Sequence, residues 1–114
     1  MRDRDCVFCK IAAGDLKSDI VYRDDDVVAF TDVNPRAPLH VLVIPREHIA
    51  SLAEARDPRL VGLLGLAAAR VARDAGYERK GFRVVTNIGP EAGQSVSHLH
   101  FHVLAGRPLG WPPG

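Results

Sequence analysis

The stretch Ser97-His98-Leu99-His100-Phe101-His102-Val103-Leu104 sets three histidines in alternation with apolar residues. Side chains of a strand point to opposite faces with a period of two. On a strand, His98, His100 and His102 share one face. Leu99, Phe101 and Val103 share the other and can enter a core. A helix would turn each histidine about 200° from the next. The β-branched and aromatic content also favours a strand. The chain has five histidines, and the other two are His40 and His48. Side chains suited to proton transfer, metal ligation or nucleophilic attack near neutral pH are therefore concentrated here.

Three readings of this run are open. It is a structural row on a solvated face, a ligand set for a catalytic metal, or a histidine nucleophile for phosphorus flanked by histidines that orient it and handle protons. Metal and nucleophile compete for the same lone pair, so one histidine cannot serve both at once. The loop just before the run, Gly93-Gln94-Ser95-Val96-Ser97, favours the third reading. Its small residues let backbone N–H groups approach an anion closely, and Ser95 adds a hydroxyl donor.

Outward from this strand the pattern predicts an α+β fold. Residues 5–13 read as a short helix capped by Asp5 and ended by Gly14, with Val7, Phe8 and Ile11 on one apolar edge. Residues 20–23 and 27–31 read as strands joined in a hairpin by the solvated turn Asp24-Asp25-Asp26. Two prolines punctuate the loop 32–38, and a strand over 40–44 stops at Pro45. Residues 46–55 read as partly helical. Asp57-Pro58 starts a long helix, Leu60, Leu63, Leu64, Ala67, Ala68 and Val71 follow at helical spacing, and Gly76 ends it. Gly62 and Gly65 weaken that helix by about 1 kcal/mol each relative to Ala and permit close packing. A strand over 82–87 leads into the glycine-containing loop and the histidine strand. Strands, one long helix, then strands is the order of an antiparallel sheet, not of βαβ units.

At 114 residues the chain is expected to form one domain, over 1–114, with an ordinary core. A net charge of +1 and no run of Lys or Arg argue against nucleic acid or a membrane surface as the main partner. The charged start Met1-Arg2-Asp3-Arg4-Asp5 lacks a signal-peptide apolar stretch, and no apolar run is long enough to span a bilayer. A cytoplasmic location is expected. Cys6 and Cys9 are the only cysteines, spaced CxxC. In a reducing compartment that spacing is more often metal-binding or redox-active than a disulfide.

The chain resembles the histidine triad (HIT) family, and within it the nucleotide-binding (Hint) branch in its bacterial form. The likeness rests on Gly93-Gln94-Ser95-Val96 with the run from His98 to Leu104, on Ala37-Pro38-Leu39-His40-Val41-Leu42-Val43-Ile44-Pro45, and on the tail Trp111-Pro112-Pro113-Gly114. The resemblance implies a HIT-like homodimer with a sheet continuing across its two-fold axis. The long helix is expected at that interface. It also implies binding of a purine nucleoside monophosphate and hydrolysis of phosphoramidates at the α-phosphate. Dinucleoside polyphosphate hydrolysis is the alternative within the family, and a nucleotide-binding scaffold the alternative outside catalysis.

Carried over residue by residue, His100 matches the nucleophile, His102 the histidine at the phosphate and leaving group, and Ser95 a donor to the phosphate. His40 matches a supporting histidine. Asp32 matches the acceptor from the ribose hydroxyls, and Asn87 and Gly93 match contacts near the phosphate. Val7, Phe8, Ile11, Phe30 and Val33 match the base pocket, with plain core packing as the other reading of those five. Trp111 matches a tail residue reaching the partner's site, or else a packing anchor. No cofactor is implied for catalysis. Cys6, Cys9, His48 and His98 match the ligands of a structural zinc in the family's zinc-binding members. For the cysteine pair, a disulfide and unpaired thiols remain open.

Overall fold

The computed structural model describes residues 3–114. In chain order the elements are α1 (Val7–Ala13), β1 (Ile20–Arg23), β2 (Val27–Thr31), β3 (Leu39–Pro45), a 3-10 turn (Leu52–Glu54), α2 (Pro58–Asp74), β4 (Arg83–Val85) and β5 (Phe101–Ala105). The strands pair antiparallel throughout, in the order β1-β2-β3-β5-β4. This is the expected α+β arrangement of one sheet with a long and a short helix. Among the described residues no helix is long and apolar enough to cross a membrane.

Period-two alternation divides the core into two layers. Val27 and Ala29 of β2, Val41 and Val43 of β3, and Leu99, Phe101 and Val103 face Leu64, Ala67, Ala68, Val71 and Ala72 of α2. The intervening residues Val28, Phe30, Leu42 and Ile44 face Phe8 and Ala12 of α1. Both faces of β2 and β3 are thus covered, and Val27 to Phe30 and Val41 to Pro45 are continuously apolar for that reason. Burying one leucine such as Leu64 contributes about 1.5–3 kcal/mol, so α2 is held mainly by this stripe.

Local signals explain the ends of the elements. Asp57 accepts from the N–H of Arg59 at 2.9 Å and starts α2 as expected, with Pro58 in its first turn. Gly76, at φ +89°, follows the last turn. In the hairpin turn, Asp24 accepts from the N–H groups of Asp26 and Val27 at 2.8 Å and from the Tyr22 hydroxyl at 2.6 Å. Burial opposes ionisation of Asp24, but these three donors outweigh it and hold its carboxyl below the usual range. Arg46 ties the turn to α1, donating to the carbonyls of Asp24 at 2.7 Å and Ala12 at 2.9 Å.

Four expectations are corrected. The cap of α1 is Cys6, whose Sγ accepts from the N–H of Cys9, and Asp5 lies outside the helix. Val7 is 40% exposed and leaves the apolar edge to Phe8 and Ile11. The ladder of β5 begins only at Phe101, because the N–H of Leu99 is given to the carbonyl of Ile49 at 2.6 Å. The strand expected over 82–87 pairs only at Arg83–Val85; beyond it the Thr86 hydroxyl, not a backbone N–H, donates to the carbonyl of His100 at 2.9 Å. In addition, a Cβ placed at Gly62 or Gly65 meets no atom within 4 Å, so neither glycine serves close packing inside the chain.

Candidate functional site

The three histidines keep their alternation although two of them precede the ladder. All lie on the α1 side of the sheet, opposite Leu99, Phe101 and Val103, and each has a different set of partners. The His100 Nδ1 stands 2.7 Å from the carbonyl oxygen of His98. A carbonyl oxygen only accepts, so this nitrogen carries the hydrogen and donates it. The Nε2 lone pair of the neutral ring is therefore left free. The ring is buried, with the Phe8 ring edge-on at 5.2 Å and the His102 ring at 5.1 Å.

His102 and His40 meet because of strand register. His102 lies opposite Leu42, and His40 lies opposite Leu104, so the two histidines are diagonal neighbours on one face. The N–H of Arg36 donates to His40 Nδ1 at 3.0 Å. The His40 hydrogen is then on Nε2, which donates to His102 Nδ1 at 2.9 Å. That places the hydrogen of His102 on Nε2. Asp32 Oδ2 stands 3.4 Å from His40 Nε2. Asp32, His40 and His102 also group as possible metal ligands. Two imidazole nitrogens on one tetrahedral zinc stand about 3.3 Å apart. The observed 2.9 Å is the length of a hydrogen bond, so this trio is a hydrogen-bonded relay, with His40 donating, and not a metal cage.

Cys6, Cys9, His48 and His98 form a second centre behind the first. Their ligand atoms all lie within 4.8 Å of one another. His98 Nε2–H donates to the carbonyl of Pro45 at 2.9 Å, which aims its Nδ1 lone pair at Cys6 Sγ, 3.3 Å away, and Cys9 Sγ, 3.5 Å away. His48 Nδ1 is 3.3 Å from Cys9 Sγ. Sulfur and nitrogen at two corners of a tetrahedral zinc site stand about 3.5 Å apart. The donor set and its spacing therefore fit zinc. Each sulfur also receives a backbone N–H, from Cys9 to Cys6 at 3.4 Å and from Asp3 to Cys9 at 3.3 Å, as thiolate ligands favour. Burial holds His98 neutral, its pKa lowered to about 4, so its lone pair is available.

The pattern of the HIT domain matches residues 13–109. The chain belongs to the HIT domain family. This HIT domain is 49% identical to an uncharacterised HIT-like protein of Synechocystis, over 96% of this chain and 97% of that one. It is 44% identical to a 14 kDa zinc-binding protein of Zea mays, over 98% of this chain and 90% of that one. The crystal structure of a HIT family hydrolase from Legionella pneumophila superposes with a TM-score of 0.94 at 39% identity, covering 96% of this chain and all of that one.

The other expected site residues are distributed unevenly around this HIT domain's histidines. Phe8, Ile11 and Phe30 pack together beside His100, with the Phe8 and Phe30 rings 5.4 Å apart. Val33 is 97% exposed and joins none of them. Asn87 and His102 line a cleft of about 770 Å³ on the β4 side. Ser95 and Val7 line a separate cleft of about 400 Å³ with Cys6 and His48. Gly93 has φ +86°, a conformation that suits glycine. Trp111 is 82% exposed, so within its own chain it anchors no packing.

Gln94 has a part that the sequence did not disclose. Its Oε1 accepts from the N–H of Gly89 at 2.9 Å, and its Nε2 donates to the carbonyls of Ala50 at 2.8 Å and Val96 at 3.1 Å. It clamps the loop that presents Gly93 and Ser95. Nothing local marks it, because all three partners are backbone atoms brought together by the fold.

The relay histidines imply a pH dependence of stability. Burial lowers His102 from 6.5 to about 4, and burial likewise lowers His40. The unfolded chain takes up these protons from about pH 6.5 downward, while the folded chain binds them only at lower pH, for His102 near pH 4. Stability from this source is complete above about pH 6.5 and is lost progressively as pH falls toward 4. Denaturant melts across this window should show a shallower slope for His102→Asn than for wild type. Identical slopes would exclude this origin.

Proposed function

We propose that this HIT protein is a single-domain nucleotidyl hydrolase of the Hint branch, cleaving purine nucleoside 5'-phosphoramidates at the α-phosphate. One observation carries the reading. His100 is buried and oriented by the His98 carbonyl, and its Nε2 lone pair stands free beside a second histidine, His102, whose hydrogen is on Nε2. The Legionella neighbour's description as a hydrolase agrees with it.

In the proposed reaction the His100 Nε2 pair bonds to the α-phosphorus as the phosphorus–nitrogen bond breaks. The amine leaves with that electron pair and takes a proton supplied by solvent, while His102, kept neutral by the hydrogen bond it accepts from His40, donates its Nε2–H to a phosphoryl oxygen. Water then attacks phosphorus, its proton passes to solvent, and His100 departs as a neutral imidazole. His40 holds His102 in register. Asp32 accepts from the ribose, Asn87, Gly93 and Ser95 contact the phosphate, and Phe8, Ile11 and Phe30 contact the base, with Val7 and Val33 at its edge. Cys6, Cys9, His48 and His98 hold a structural zinc, in line with the Zea mays relative's description. That metal fixes the segment from which Phe8 projects.

The proposed molecule is a homodimer. Supporting this, β4 is a sheet edge, and α2 presents Leu66, 71% exposed, beside the unpacked Gly62 and Gly65. Trp111 is then free to reach the partner's site. Sedimentation at micromolar concentration should give twice the chain mass; a monomer would rule the dimer out.

The assay is purified protein with adenosine 5'-phosphoramidate, with diadenosine tetraphosphate as comparison. Release of AMP and ammonia from the first, faster than cleavage of the second, is the expected outcome. The reverse order makes the protein a polyphosphate hydrolase, and turnover of neither overturns the enzymatic reading.

A further inference from the structure

The 770 Å³ cleft holds more positive charge than the proposed reaction uses. His102 and His40 form its inner wall, and Arg36, Arg83 and Arg107 stand around it against a single lining acidic side chain, Glu91. The chain as a whole has a net charge of only +1, so this is a local arrangement. Elsewhere Arg59, Arg70 and Arg73 each pair with a carboxylate. Among the described residues, no carboxylate within 4.0 Å neutralises Arg36, Arg83 or Arg107.

Two of these arginines are built into the relay. Arg107 Nε donates to the Arg36 carbonyl at 2.9 Å, and its Nη1 to the Pro108 carbonyl at 3.1 Å. The Arg36 N–H in turn donates to His40, which donates to His102. A continuous chain of hydrogen bonds thus joins the cationic wall to the histidine nearest the leaving group. Arg83 comes from β4, where it pairs in register with Leu104, next along the sheet from His102.

The position of the cleft decides which half of a substrate it receives. In displacement at phosphorus, the entering and leaving atoms stand roughly in line on opposite sides. His100 lies against Phe8 on the α1 side, whereas the cleft opens beyond His102 and does not include His100. A nucleotide held near Phe8 and Phe30 would send its leaving group into the cleft.

Resting on the proposed reaction, we infer that the Arg36–Arg83–Arg107 cleft is a subsite for an anionic group carried by the leaving half of the substrate, a carboxylate or a phosphate. Guanidinium forks match either group in charge and geometry.

The test uses three substrates. Adenosine 5'-phosphoramidates of phenethylamine and of phenylalanine differ by one carboxylate, and diadenosine tetraphosphate supplies phosphate instead. Wild type should show kcat/KM about tenfold higher for at least one anionic substrate than for the phenethylamine compound, as one good charge-assisted contact provides. Whichever is preferred identifies the anion. Arg83→Gln, which alters the one cleft arginine outside the relay, should reduce the preference about threefold or more, mainly through KM, and turnover of the phenethylamine compound within about twofold of wild type reports intact folding. A neutral substrate as good as both anionic ones, or a preference unchanged in Arg83→Gln, overturns the subsite alone. Turnover of none of the three overturns the parent reaction and the subsite with it.

Discussion

His100→Ala is expected to lower kcat toward phosphoramidates by at least about a thousandfold, the scale on which covalent catalysts lose rate when the nucleophile is removed. No neighbour can substitute. The His102 Nδ1 is occupied by the His40 hydrogen bond, and its Nε2 carries a hydrogen instead of a lone pair. The His98 Nε2 is committed to the Pro45 carbonyl, and its Nδ1 faces the cysteines. Binding of AMP should persist, because Phe8, Ile11, Phe30 and Asp32 remain in place. Since the ring is buried against Phe8, the variant loses some stability, and retained AMP binding with an intact circular dichroism spectrum separates folding from chemistry. Acid quench of wild type with radiolabelled substrate should trap an acid-labile nucleotidyl adduct on His100. Retention of more than a few per cent of the rate by His100→Ala would end the covalent mechanism.

The second large effect concerns the metal centre. Protein purified without chelator should contain about one zinc per chain, as a closed four-ligand site holds. Cys6→Ser with Cys9→Ser should lose that metal and lower the Tm by about 10 °C or more, since structural zinc contributes directly to folding and 2–3 kcal/mol suffices for such a shift. The site joins the start of α1, the segment after β3 and His98, two residues before His100, so its loss loosens all three together. Some turnover should remain, because His100 is oriented by the His98 carbonyl and not by the His98 ring. A zinc content near zero, with both thiols titrating freely in the native protein, would refute the metal centre and leave the nucleophile assignment standing.

The period-two run from His98 to Val103 was sufficient to assign the two faces of the sheet, because a pleated strand has no other way to place alternate side chains. Asp24, Asp57, Pro58 and Gly76 marked the turn and the ends of α2, since each acts through hydrogen bonds or dihedral angles within a few residues. Asp5 misled because the cap of α1 is a thiol that is also placed for the metal centre. The short β4 and the late start of β5 were illegible for a related reason: the Thr86 hydroxyl and the Ile49 carbonyl take over backbone groups that a ladder would use.

The sequence by itself determined the fold class, the core-facing side of the histidine strand and which residue types could act, all consequences of local geometry and apolar periodicity. Only the tertiary structure decided how they can act. The free nitrogen of His100, the hydrogen of His102 and the lone pair of His98 are chosen by the backbone of His98, Arg36 and Pro45, the last of these 53 residues from the ring it orients. The two tautomers of a neutral histidine lie close in energy until a partner selects one of them, and those partners arrive with the fold.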